Sequence, residues 1–138
     1  MKIMVSACLL GENCKYSGGN NRDERVLAFL KGHEVIPVCP EVMGGLPTPR
    51  PPAEIVCGEV INKAGMSVDH QYRLGAQKAL EIARKEKIDL AILQSRSPSC
   101  GVKEIYDGTF TGTKIPGQGI CAALLAKNGF VLMDREDV

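Results

Sequence analysis

A chain of 138 residues fits one domain and is long enough to bury a core without cross-links. Hydrophobic content of 44%, charged content of 24% and a formal net charge of +1 give no electrostatic case for nucleic acid or an anionic membrane as main partner. Six cysteines are too few for a small disulfide scaffold, and no CxxC pair occurs, so the local signatures of zinc ribbons and thioredoxin-like motifs are absent.

Residues 2–6 read as a short buried-type strand that Gly11 stops. The step Val5-Ser6-Ala7-Cys8 looks like the approach to a lipidated cysteine. The apolar stretch ahead of it is only residues 3–5, far short of a signal h-region of about 7–15 residues. The expectation is a cytoplasmic protein with reduced thiols. Residues 22–31 predict a helix capped by Asn21, with Glu24 three residues on and Gly32 as the stop. Residues 34–38 follow as a strand, which the Cys39-Pro40 step ends.

Residues 43–52 hold four prolines, Pro47, Pro49, Pro51 and Pro52, and read as an extended loop that needs something to pack on. Ile55–Cys57 and Val60–Ile61 around Gly58 suggest a small hairpin or a bulged strand. The clearest helix spans 69–87, with Tyr72, Ala76, Ala79, Leu80 and Ala83 on one apolar face. A strand at 89–93, a helix at 119–127 and a last strand at 130–133 complete the pattern. Strands alternating with helices predict an α/β fold, a single compact domain over 1–138. Its sheet is mainly parallel and flanked by helices in Rossmann-like layering.

Three cysteines stand where an apolar run meets a turn: Cys8, Cys39 and Cys100. In an open parallel sheet such junctions gather beyond the carboxyl ends of the strands, where ligands bind. Three thiolates are soft ligands suited to zinc or an iron–sulfur cluster, and three rather than four leave one metal position open. Cys121, in an aliphatic run, and Cys57, after Ile55-Val56, read as core packing; Cys14 reads as a polar loop thiol. His33 and His70 have no metal-ligand spacing and read as solvent-facing. The stretch Gly112-Thr113-Lys114-Ile115-Pro116-Gly117-Gln118-Gly119 lacks the P-loop order and reads as a turn that lets a helix start close to the sheet.

Several motifs together resemble the bacterial thiouracil desulfurase family. They are Val5-Ser6-Ala7-Cys8-Leu9-Leu10-Gly11, Tyr16-Ser17-Gly18-Gly19-Asn20, the run from Val38-Cys39-Pro40-Glu41 to Pro51-Pro52, and Arg96-Ser97-Pro98-Ser99-Cys100-Gly101. Ile105-Tyr106-Asp107-Gly108-Thr109-Phe110 and Ile115-Pro116-Gly117-Gln118-Gly119 extend the likeness over nearly the whole chain.

The resemblance implies a compact α/β domain and a 4Fe–4S cluster held by Cys8, Cys39 and Cys100, with one iron open to the sulfur of a thiocarbonyl. It places the catalytic carboxylate on Glu41 and an assisting hydroxyl on Ser97. The expected substrate is a small thiolated base, walled by residues 46–52, with Arg50 or Arg96 binding a polar edge. Two alternatives use the same thiols. One is a three-cysteine zinc hydrolase. The other is a non-catalytic cluster carrier or redox sensor, which needs neither Glu41 nor Ser97.

Overall fold

The computed structural model describes residues 1–138. Strand β1 (Lys2–Ser6) passes through a single 3-10 turn at Ala7–Leu10 and a loop into helix α1 (Glu24–Leu30). Next come β2 (Glu34–Val38), a one-turn helix α2 (Pro40–Met43), and the antiparallel hairpin β3 (Ala53–Val56) and β4 (Glu59–Asn62). Helix α3 (Asp69–Glu86) leads to β5 (Leu90–Leu93). A second hairpin, β6 (Glu104–Tyr106) and β7 (Lys114–Pro116), precedes α4 (Ile120–Lys127) and the closing strand β8 (Leu132–Asp134).

Four strands form one parallel sheet in the order β2-β1-β5-β8. Side chains alternate across it, as the pleat requires. Met4, Val38, Ala91 and Leu93 face Ala76, Ala79, Leu80 and Ala83 of α3 and Cys121, Ala122 and Leu125 of α4. Ile3, Val5, Leu90 and Ile92 face Val26 and Leu30 of α1 on the other side. The α/β layering expected from the sequence is therefore present, with helices on both faces. The chain leaves β1 toward β2, then returns to the opposite side of β1 as β5. That reversal of strand order opens a crevice at the carboxyl ends of β1, β2 and β5.

Several boundaries differ from expectation for local reasons. Helix α1 starts two residues later, because the Asp23 carboxylate accepts from the Arg25 and Val26 N–H groups and takes the cap from Asn21. The residues after Cys39 form α2 rather than loop, since Pro40 occupies its first turn, where a missing N–H costs nothing. Strand β8 starts two residues after the predicted one, at Leu132. The β6–β7 hairpin replaces what reads as irregular turn. Its strands are three residues each and only half-buried or exposed, too short for a hydrophobic period to show.

Candidate active site

Cys8 is the second residue of the turn after β1, Cys39 caps α2 directly after β2, and Cys100 lies in the loop between β5 and β6. These are three adjacent strands, and all three thiols line one cavity of about 470 Å³. Cys14, Glu41, Gln94, Arg96, Ser97, Tyr106 and Phe110 share its wall. No histidine lines it.

The loop that carries Cys100 is held from two sides. The Ser97 hydroxyl oxygen accepts from the Ser99 and Cys100 N–H groups at 3.1 and 2.9 Å. The first N–H groups of α4, on Ile120, Cys121 and Ala122, donate to the carbonyls of Pro98 and Ser99. Gly119 permits this approach, because a Cβ there would stand 2.5 Å from the Ser99 carbonyl. The Gly/Pro stretch before α4 thus does bring the helix close, and its N-terminal donors serve the cysteine loop rather than an anion.

Burial pushes the Cys8 thiol up, against a hydrogen bond donated by Asn21 Nδ2 to Cys8 Sγ at 3.5 Å, with the nearby Cys39 pushing it further. Cys39 Sγ donates to the Cys14 carbonyl at 3.9 Å, and the neighbouring Cys14 thiol holds the Cys39 thiol down to about 7 while its own is pushed up. Burial drives Cys100 well above the ordinary thiol value, partly offset by a hydrogen bond from Ser6. The Cys8 thiol also raises that of Cys100.

Glu41 is on α2, two residues after Cys39, and both its oxygens are engaged. Arg50 Nη2 donates to Oε2 at 3.1 Å, and the Tyr72 hydroxyl donates to Oε1. Arg50 is buried; its Nη1 donates to the Pro47 carbonyl and Thr48 Oγ1 and its Nη2 also to the Cys14 carbonyl, while Nε has no partner. Its guanidinium is spent on holding the carboxylate and the Cys14 loop, which sets it behind the wall rather than toward a ligand. Arg96 does line the cavity, but its guanidinium pairs with Glu136 at 3.0 and 3.1 Å. Of the proline-rich loop only Pro52 reaches the cavity; Pro47, Pro49 and Pro51 are exposed. The loop's contribution is to fold back on Arg50.

The remaining cysteines separate. Cys121 is fully buried between α3 and α4, as expected. Cys57 is a correction: it is exposed, at φ +49 in the β3–β4 turn, where the hairpin reverses and leaves its side chain in solvent. Cys14, which the sequence marks as a polar loop thiol, incidental rather than an extra ligand or persulfide carrier, stands on the cavity wall through the turn of the chain between β1 and α1. His70 is exposed, while His33 is half-buried, stacked on Phe29 and bonded to the amino terminus at 3.0 Å.

No three His, Cys, Asp or Glu side chains gather closely enough to grip a single metal ion. Three thiols on the wall of one cavity form an all-sulfur donor set, whose softness suits an iron–sulfur cluster. The residues present fit the cluster.

A family model described as 2-thiouracil desulfurase matches residues 3–137. An uncharacterized protein, YbbK of Bacillus subtilis (strain 168), is 36% identical over 146 residues, covering 99% of this chain and 97% of its own. Among solved structures, a 4Fe–4S-dependent thiouracil desulfidase, TudS, superposes with a TM-score of 0.93 at 39% identity. That match covers 99% of this chain and 92% of the other.

Proposed function

The chain belongs to the 2-thiouracil desulfurase family, and from that membership and the cavity we propose that it is a 4Fe–4S-dependent desulfurase. It converts the C=S group of a small thiolated base such as thiouracil to C=O. The observation that carries this reading is the meeting of three strand-end thiols with a doubly held carboxylate in one cavity. Cys8, Cys39 and Cys100 hold the cluster. When bound, the cluster supplies an open iron, a Lewis acid for the thiocarbonyl sulfur.

Glu41 takes a proton from water as the water oxygen attacks the carbon. The C–O bond forms, the C–S bond breaks, and sulfur leaves as hydrosulfide with no net electron transfer. Ser97 already accepts two backbone N–H groups at its oxygen, so its hydroxyl proton is the part free to orient or protonate substrate. Tyr106 and Phe110 supply flat apolar walls for a planar base. Six free cysteines suit a reducing cytoplasm, and no helix of the chain is long and apolar enough to cross a membrane.

Glu41→Gln tests the enzyme reading against a cluster carrier. Purified without oxygen, the variant should keep its iron and sulfide while turnover of 2-thiouracil falls by ~10²-fold or more. Wild-type turnover in a fully loaded Glu41→Gln protein would remove this carboxylate from the mechanism.

A further inference from the structure

Tyr72 belongs by sequence to the apolar face of the longest helix, and it is indeed only 2% exposed. A buried phenol still has a hydroxyl to satisfy. Here the partner is the carboxylate of Glu41, reached across the contact between α2 and α3. We propose that Tyr72 is a positioning residue for desulfuration, fixing Glu41 at the cavity wall from behind. The inference rests on the reading of Glu41 as the group that activates water.

The two oxygens of Glu41 have different partners, Tyr72 on Oε1 and Arg50 on Oε2. One donor alone would leave the carboxylate free to swing about its last torsion; two donors on separate oxygens stop that swing. Each oxygen keeps a second lone pair, so the group still accepts a proton from the cavity side. Tyr72 keeps its proton to donate to the carboxylate, because burial pushes its phenol far up and the neighbouring carboxylate opposes ionisation further.

The reach of the hydroxyl is built into the backbone. Helices α2 and α3 meet at Gly44 and Gly75. A Cβ on Gly44 would lie 1.9 Å from the Gln71 carbonyl oxygen, and one on Gly75 would lie 1.7 Å from that of Pro40. Glu41 is three residues before Gly44, and Tyr72 three before Gly75. On a helix that spacing places each functional residue beside its glycine on one face. The glycine pair therefore sets the separation at which phenol meets carboxylate. A tyrosine serving the core alone would need neither the carboxylate nor so close a crossing.

The test is a cycle of variants in the cluster-loaded protein. Tyr72→Phe keeps the ring and removes only the hydroxyl. It should leave iron, sulfide and the KM for 2-thiouracil unchanged and lower kcat about ten- to a hundredfold. Added to Glu41→Gln, the same change should cost less than about twofold, because nothing remains to position. Wild-type kcat in Tyr72→Phe beside an inactive Glu41→Gln overturns the role of Tyr72 alone. An equal loss in both backgrounds overturns positioning in favour of general support. Wild-type kcat in both single variants removes the reading of Glu41 itself.

Ultraviolet resonance Raman spectroscopy gives a readout that needs no turnover. The loaded wild type should show one tyrosine as a strong donor to an anion, and that signature should disappear in Glu41→Gln. A spectrum unchanged by Glu41→Gln would overturn the contact even if Tyr72→Phe failed to fold.

Discussion

Ser97 combines two tasks at one atom. Its oxygen accepts the N–H groups of Ser99 and Cys100, which sets the turn that presents the Cys100 thiol, and in the proposed reaction its proton serves the substrate. Ser97→Ala should lose both. The turn then leaves two backbone donors without their partner, a cost of about 1–2 kcal/mol that a thermal melt reads. Turnover should fall as well in protein that keeps its iron. A destabilised variant with unchanged turnover per cluster would confine Ser97 to the turn. At this scale the sequence was informative where a residue type is rare at its position. A thiol after an aliphatic strand marked Cys8 and Cys39, and a hydroxyl-rich turn marked Cys100. It was silent about partners: nothing in residues 46–52 says that Arg50 turns inward to Glu41, or that Arg96 is tied to Glu136.

Among the elements, the crossing of α2 with α3 has the largest consequence for its size. Helix α2 has four residues, with Cys39 at its cap and Glu41 in its first turn. Its place is fixed by the Gly44–Gly75 contact rather than by its own hydrogen bonds. Gly75→Ala must therefore push α2 off α3. It should lower stability by about 1–3 kcal/mol, as overpacking does, and reduce turnover at temperatures where the variant is folded. Wild-type activity and melting temperature would show that the helices tolerate a wider spacing. Long or strongly apolar elements were legible from their pattern: α3 repeats its apolar face along an 18-residue helix, and β5 is uniformly aliphatic. Helix α2, β6 and β7 were not. They are three or four residues long, and tertiary contacts rather than periodicity define them.

At the scale of the molecule, the strand order β2-β1-β5-β8 does what no local motif can. It places three sequence-distant strand ends side by side and closes their loops around one cavity. The sequence announced the junctions and, through its resemblance to a desulfurase family, implied a shared purpose for them; the order of strands is a property of the packed sheet. The central claim is that Cys8, Cys39 and Cys100 together hold one cluster that Cys57 and Cys121 do not touch. Iron and acid-labile sulfide, measured per chain after purification without oxygen, test it most directly. The account predicts about four of each in the wild type. Cys57→Ser and Cys121→Ala should match it, while Cys8→Ser, Cys39→Ser and Cys100→Ser should each lose most of both. A full complement of iron and sulfide in all three of those ligand variants, or stoichiometric zinc without sulfide in the wild type, would contradict it.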